Sequence, residues 1–184
     1  MNFILQKLAG ADRRSIGRSG EVVDDVLTNP LLFKELFAGL FSDDLIVRMR
    51  AADAIEKITA KHPEYLRRYK RALIYRVAQM DQQEIRWHFA QMVPRLDLNV
   101  QESKFVVKTL MNYLHNKSSV VRTFSMQALA DLAERNSSLR PRVMVLLNKL
   151  VRTGTAAMKS RGRKLLKKLE SAEPEQAQGD FRSS

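Results

Sequence analysis

The 184-residue sequence contains no cysteine, a single tryptophan and few glycines or prolines, seven and five respectively. The lack of cysteine excludes disulfide bonds, zinc-thiolate sites and thiol nucleophiles, so apolar burial must stabilise the fold. Alternating strand patterns are also missing, and apolar residues recur instead at spacings of three and four. The sequence therefore predicts an all-α protein.

Long apolar runs are missing as well. The first six residues contain only three consecutive apolar side chains, Phe3 to Leu5, whereas the apolar core of a signal peptide has roughly 7–15 residues. No other stretch approaches the roughly 20 apolar residues that span a bilayer. We therefore expect a soluble, cytoplasmic protein that does not associate with membranes.

Motifs for catalysis or cofactor binding are not recognisable in the sequence. There is no phosphate-binding glycine-rich loop, no nucleophile elbow and no H-E-x-x-H motif. His62, His88 and His115 are too far apart for a local metal clip. The glycines between Gly10 and Gly20 follow no predicted strand, and this segment is interpreted as a flexible connector or basic arm. We expect no metal, no cofactor and no enzymatic activity.

Positive charge is concentrated near the C-terminus. The chain has a net charge of +12, and residues 138–170 contain ten Lys and Arg but one Glu. A local basic surface attracts polyanions or acidic protein faces through a field that salt screens. The same segment also suits a solubilising terminal cap. Both interpretations remain open at the level of the sequence.

A segment beginning at Asp43 and ending at Ile58 recurs along the chain. It has an acidic or turn-like start, an apolar residue followed by a basic one, a run of small residues and an apolar end. The basic residue is separated from its next counterpart by 38, 36 and 37 positions. In the four copies it is Arg48, Arg86, Arg122 and Lys159.

Amphipathic stretches lie between these copies and supply the first helix of each pair. They run from Pro30 to Phe41, Pro63 to Gln79, Gln101 to His115 and Leu139 to Thr153. Prolines near three of the four starts suit a first helical turn. The expected N-caps of the second helices are Asp43 or Asp44, Asp81, Ser118 or Ser119, and Thr153 or Thr155.

This pattern resembles HEAT repeats, the armadillo-like family, and in detail small bacterial HEAT-repeat proteins of unassigned role. The resemblance implies a right-handed α-solenoid of about four helical hairpins, in which neighbouring units bury each other's apolar faces. A basic arm and lead-in helix (1–29) would precede the repeat domain (30–170), and a disordered tail (171–184) would follow. The approximate repeats are 30–62, 63–97, 98–137 and 138–170.

A helical wheel separates the core arc of each second helix from the opposite arc. The resemblance implies that this opposite arc lines a concave groove. Trp87 and Phe124 would either anchor a partner there or pack back between helices, and both readings stay open. The predicted groove residues are Arg50, Asp53, Trp87, His88, Gln91, Arg95, Phe124, Gln127, Arg161, Lys164 and Lys168.

The repeated basic residues Arg48, Arg86, Arg122 and Lys159 lie at the edge of the core arc. Charges at such positions require partners when they are buried. We interpret this ladder mainly as structural, with bonds to turn carboxylates or helix-end carbonyls. Contact with a ligand is the alternative.

The leading hypothesis is a monomeric, non-enzymatic scaffold whose groove holds an acidic or amphipathic segment of another protein. The alternative is a nucleic-acid-binding protein that contacts phosphates through its last hairpin. A third, remote option is excision of alkylated bases, because some HEAT-like proteins act so; Asp53, Trp87 and Asp131 would serve it. The cations of the nucleic-acid alternative are Lys159, Arg161, Arg163, Lys164, Lys167 and Lys168.

Overall fold

Helices form almost all of the computed structural model, which describes residues 3–10, 12 and 15–171. No strand occurs among these residues, which confirms the all-α prediction. The predicted disordered tail beyond Ser171 and the arginines Arg13 and Arg14 of the predicted arm lie outside the described residues. The helices are α1 (Phe3–Leu8), α2 (Ser19–Thr28), α3 (Phe33–Ala38), α4 (Leu45–Lys61), α5 (Lys70–Tyr75), α6 (Gln83–Met92), α7 (Val100–Tyr113), α8 (Ser119–Arg135), α9 (Arg140–Thr153) and α10 (Ala156–Ser171).

Short 3₁₀ segments extend several of these helices. Two of them flank α3, so the predicted first helix from Pro30 to Phe41 is a 3₁₀–α–3₁₀ succession of the same extent. The predicted helix from Pro63 to Gln79 has the same construction around α5. The six segments are Pro30–Leu32, Gly39–Phe41, Pro63–Tyr69, Val77–Gln79, Val93–Arg95 and Ser137–Leu139.

The chain divides into two compact units, residues 1–128 and 129–184, and the division falls inside α8. It does not coincide with any of the predicted repeat boundaries. In the first unit α1 contacts α2 and α3 contacts α4, while α2, α4 and α6 pack against one another in that order. The largest fully buried side chains of these helices include Leu36, Ile55 and Phe89.

The described residues of the N-terminal segment, for which the sequence predicted a basic arm and a lead-in helix, contain the two helices α1 and α2. Ile4 and Leu8 of α1 and Val22 and Val26 of α2 are fully buried, and both helices contact α4. The apolar pattern of α1 is only six residues long, which is too short for a periodicity argument. The packing against α4, and not local propensity, stabilises so short a helix.

Aromatic rings join α3 to the segment that precedes α5. The ring centroids of Phe37 and Tyr69 are 4.2 Å apart in a stacked arrangement, and those of Phe33 and Tyr65 are 4.9 Å apart. Leu66, between the two tyrosines, is fully buried. The basic, tyrosine-containing segment 65–71 therefore packs its apolar side chains inward.

Side chains cap the starts of α4 and α7 but not the start of α6. Asp44 accepts hydrogen bonds from the backbone N–H groups of Ile46 (2.7 Å) and Val47 (3.4 Å), which confirms one of the two predicted caps of α4. Asn99 and Glu102 form a capping box at α7. At α6 the N-cap is Gln82 and not the predicted Asp81, and its side chain makes no capping bond.

In the second unit α9 packs along α10. Thr155, one of the two predicted caps of α10, accepts a 3.4 Å hydrogen bond from the backbone N–H of Met158. The apolar stripes of both helices are buried, which leaves their charged faces exposed. The buried residues are Val143, Leu147, Met158, Leu165, Leu166 and Leu169.

Candidate functional site

The predicted groove begins on α4, where Asp53 lies next to α2. Its carboxylate accepts a 2.8 Å hydrogen bond from Ser19 Oγ and forms a 2.6 Å ion pair with Lys57 Nζ. Ser19 is fully buried, so the bond fixes the start of α2 against α4. Asp53 is therefore partly shielded and already paired with a cation.

Arg50 does not line an open face, which corrects the helical-wheel prediction. Its side chain is only 3% exposed. Its guanidinium donates to the carbonyl oxygens of Leu8 (2.8 Å), Ala9 (2.9 Å), Asp12 (2.9 Å) and Ser15 (3.1 Å). These carbonyl groups, from the end of α1 and the described residues after it, cover this position of α4, and a helical wheel of α4 alone contains no information about that cover.

Glycine makes this cover close enough for hydrogen bonding. Gly17 has a φ of 56°, a conformation that favours glycine. A Cβ atom built on Gly17 would lie 2.7 Å from Arg50 Cζ. Described residues of the segment predicted as a flexible connector, Asp12, Ser15 and Gly17 among them, thus lie against one guanidinium group.

Arg95 is occupied by an internal ion pair. Its guanidinium pairs with the carboxylate of Glu56 and donates to Glu56 O and Thr59 Oγ1, both at 2.9 Å. Thr59 is fully buried. The 3₁₀ segment that follows α6 is therefore attached to α4. Because Arg95 is paired with Glu56, it offers less positive charge to a ligand than the sequence predicted.

His88 is buried, with 8% of its surface exposed, so it is not a groove contact either. Burial lowers the pKa of His88 to about 4, against the opposing fields of Asp53 and Glu56. The imidazole is consequently neutral at pH 7. Gln91 Nε2 lies 3.4 Å from His88 Nδ1, and Trp87 places its ring centroid 5.6 Å from that of His88.

Trp87, Gln91, Phe124 and Gln127 are half-buried, so these four predicted groove residues retain some contact with solvent. Arg161, Lys164 and Lys168 belong to the second compact unit. The structure thus brings Asp53, Trp87, His88, Gln91 and Arg95 together on adjoining parts of α4, α6 and the 3₁₀ segment Val93–Arg95. The charges of Asp53 and Arg95 are neutralised by ion pairs with Lys57 and Glu56.

The arginine ladder is not uniform. Arg86 donates from Nε to Met80 O at 3.0 Å, pairs with Asp81 at 2.7 Å and lies 5.2 Å from the ring centroid of Tyr113. These partners are of the kind that the structural interpretation predicts. At Arg48 and Arg122, however, Nε is buried and has no hydrogen-bond partner. Lys159 is half-buried.

The second unit presents two exposed basic faces. Residues 129–171 contain eleven Lys and Arg but only three Asp and Glu. Lys168 uses two of these carboxylates: it pairs with Glu134 at 2.7 Å and with Asp131 at 3.7 Å, and Glu134 raises the pKa of Lys168. The exposed cations that form no ion pair with another described residue are Lys149 and Arg152 on α9 and Arg163, Lys164 and Lys167 on α10.

Lys149 and Arg152 are absent from the residues predicted for polyanion binding. The sequence does contain a signal for them, because Arg142, Val145, Lys149 and Arg152 follow the spacing of one helical face. All four side chains are exposed, with Val145 at 72%. Of the six predicted cations, Lys159 and Arg161 are half-buried, so the exposed set is shifted towards α9.

No known family model, curated protein or solved structure matches this chain. Among the described residues, no helix is both long and apolar enough to cross a bilayer. Within the same residues, no cluster of three or more His, Asp or Glu is arranged to hold a metal ion.

Proposed function

We propose that the chain is a HEAT-like helical-repeat protein that binds the phosphate backbone of nucleic acid through α9 and α10. The repeat assignment is supported by the regular spacing of the ladder residues and by the succession of α2, α4 and α6, each packed on the next. The base-excision option is less well supported, since the two carboxylates considered for it, Asp53 and Asp131, each have a lysine partner.

The observation that carries the binding proposal is the set of five exposed and unpaired cations on two adjoining helices. Arg163 and Lys167 are one helical turn apart, which places their Cα atoms about 6 Å apart along α10. Positive charge repeated along a helix suits a ligand whose negative charges repeat as well. Nucleic acid is such a ligand, and release of its condensed counterions drives association.

The second unit also indicates which form of nucleic acid is bound. Residues 129–171 contain no Phe, Tyr or Trp, whereas proteins that hold single strands usually stack bases on aromatic side chains. Contacts limited to phosphates carry no direct sequence information. We therefore expect sequence-independent binding that favours duplexes.

Fluorescence anisotropy of a labelled 20-base-pair duplex and of its single strand tests this proposal. In Arg163→Gln/Lys167→Gln, duplex affinity should fall about tenfold at low salt. The matched control is Lys104→Gln/Lys108→Gln, which removes two exposed lysines at the same spacing on α7. Equal affinity of both variants, or tighter binding of the single strand by the wild type, would overturn the proposal.

A protein-binding role at Trp87 is the second candidate. It is supported by a partly exposed tryptophan beside the buried, neutral His88, because tryptophan is a frequent anchor of protein interfaces. A photo-crosslinking amino acid at Gln91 should then capture a defined protein that Trp87→Ala no longer captures. An unchanged crosslinking pattern in Trp87→Ala would contradict this role.

A further inference from the structure

An exposed basic face with an aromatic side chain lies on α5 and the 3₁₀ segment that precedes it, in the first compact unit. Arg68, Arg71 and Tyr75 follow one another at spacings of three and four, which places them on one side of this helical segment. All three side chains are exposed, and neither arginine forms an ion pair with another described residue. These three residues are called the α5 face below.

The packing of this segment turns the α5 face towards solvent. Leu66, Leu73 and Ile74 are fully buried on the other side of the segment. Tyr69 is held against α3, where its ring stacks on that of Phe37 with 4.2 Å between the centroids. The core contacts therefore fix the orientation of the segment and leave the side with the two arginines open to a ligand.

Helix α7 supports the aromatic part of the α5 face. The ring centroid of Tyr75 lies 5.0 Å from that of Phe105, and the two rings are tilted by 58°. Tyr75 is nevertheless 42% exposed, so Phe105 contacts one part of the ring while another part stays accessible. A ring that is already held in place loses little conformational entropy when a flat group stacks on it.

The carboxylates near the α5 face are already engaged. Residues 63–76 contain five Lys and Arg but only one acidic residue, Glu64, whose carboxylate lies 3.1 Å from His62 Nδ1. Glu102 of α7 is buried, and its carboxylate accepts a 2.7 Å hydrogen bond from Lys70 Nζ. Lys70 is thus used to join two helices, whereas the two exposed arginines keep their charge for an anionic ligand.

Arginine and tyrosine together favour a nucleic acid with unpaired bases. A guanidinium group binds a phosphate through two parallel hydrogen bonds, and an exposed aromatic ring stacks on any unpaired base. Arg71 and Tyr75 are one helical turn, about 6 Å, apart along the axis, so a nucleotide stacked on the ring has its phosphate beside a cation. Bases inside a duplex are stacked on each other and offer no free face to the ring.

We propose that the α5 face binds single-stranded nucleic acid, with one base on Tyr75 and neighbouring phosphates at Arg68 and Arg71. This site is distinct from the duplex contact proposed for α9 and α10, which belong to the other compact unit. It has two unpaired cations where α9 and α10 have five, so its affinity is expected to be lower than that of the duplex contact.

The test titrates the ¹⁵N-labelled full-length protein with the hexanucleotide (dT)₆ at low salt and follows its signals by NMR. Saturable shifts are expected at the Nε–H groups of Arg68 and Arg71 and at the backbone amide of Tyr75, with a submillimolar Kd. An abasic strand with the same phosphates should bind about tenfold more weakly, because it cannot stack. The peptide Ac-(Glu)₅-NH₂, which carries the same charge as (dT)₆, should be weakened to a similar extent.

Protein variants separate base stacking from charge. Tyr75→Leu keeps an apolar contact with Phe105 but removes the ring, and it should weaken (dT)₆ binding about tenfold. Tyr75→Phe keeps the ring and should bind within about twofold of the wild type. Arg68→Gln/Arg71→Gln, which removes both phosphate contacts, should lose about tenfold at low salt.

The control is Arg163→Gln/Lys167→Gln, which should leave the shifts at the α5 face and their Kd unchanged, so the two nucleic-acid proposals fail separately. The present proposal is overturned if Arg68, Arg71 and Tyr75 show no saturable shift at millimolar (dT)₆. It is overturned as well if Tyr75→Leu, folded by the same spectrum, binds as the wild type does. Equal affinity for the glutamate peptide would assign the α5 face to an acidic protein segment instead and would also contradict it.

Discussion

Arg50 shows how a single side chain fixes the N-terminal part of this protein. It donates hydrogen bonds to residues 35 to 42 positions earlier in the chain, and these acceptors are main-chain carbonyls. A planar guanidinium with five N–H donors suits this arrangement, whereas an ammonium group has three donors around one point. Its role depends on tertiary contacts that helical periodicity does not encode, so the sequence alone assigned Arg50 to an open surface.

Gly17→Ala should destabilise the protein by at least about 2 kcal/mol, because alanine disfavours the positive φ and its Cβ would overlap Arg50. Arg50→Lys should cost a similar amount, about 2 kcal/mol, through lost hydrogen bonds. Urea unfolding followed by circular dichroism measures both. Gly20→Ala is the control: nothing lies near its Cβ position within α2, so it should be neutral or slightly stabilising. Equal stability of Gly17→Ala and Gly20→Ala would contradict this account.

His88 makes stability depend on pH. Burial lowers its pKa in the folded state to about 4 from 6.5, so between these values the unfolded chain binds the extra proton. Stability is therefore lost as the pH falls from about 6.5 to about 4, by on the order of 3 kcal/mol. His88→Gln should flatten this part of the profile when unfolding free energy is measured against pH. Parallel profiles for the two proteins would show that His88 does not contribute.

At the scale of the helices, the ends were predicted less well than the apolar faces. One helix is an exception: the first helix of the last pair was predicted from Leu139 to Thr153, and only its start differs, by one residue, from that of α9. The 3₁₀ turns on both sides of α3 were not predicted, because the difference between 3₁₀ and α geometry leaves little trace in apolar spacing. Asp81 was expected to cap α6, but its carboxylate pairs with Arg86 instead.

Glu102 lies in the first turn of α7 and connects this helix to α5. Its carboxylate accepts from the Asn99 backbone N–H at 2.9 Å and from Lys70 Nζ at 2.7 Å, and Lys70 also donates to Asp97 O at 3.0 Å. These contacts lower the pKa of Glu102, with the lysine bond as the main cause. The carboxylate thus caps α7 and joins it to α5.

Glu102→Ala should therefore lower the free energy of unfolding by about 2 kcal/mol, because the cap and the ion pair are both lost. Glu102→Gln should lose about half as much, since its amide oxygen still accepts at the cap. Glu134→Ala, which removes the exposed partner of Lys168, should cost less than about 1 kcal/mol. Thermal or urea unfolding of the three variants checks this order, and a larger loss in Glu134→Ala would contradict it.

At the scale of the whole molecule, the sequence showed where positive charge is concentrated. It did not show which of these cations are exposed and unpaired. Periodicity and composition indicated a basic last hairpin, whereas ion pairing of Lys168, partial burial of Arg161 and exposure of Lys149 and Arg152 all depend on packing. The predicted groove shows the same limit. Some of its residues lie together on α4, α6 and the 3₁₀ segment that follows α6, yet Arg95 and Asp53 are neutralised by partners outside the predicted set, Glu56 and Lys57.

The salt dependence of duplex binding tests the central claim most directly. If the five exposed cations of α9 and α10 contact phosphates, log K should fall with log salt at a slope of about −4, and Arg163→Gln/Lys167→Gln should make it shallower by nearly 2. Lys104→Gln/Lys108→Gln should keep the wild-type slope. A slope near zero, or one that changes equally in the two double variants, would contradict nucleic-acid binding by this unit.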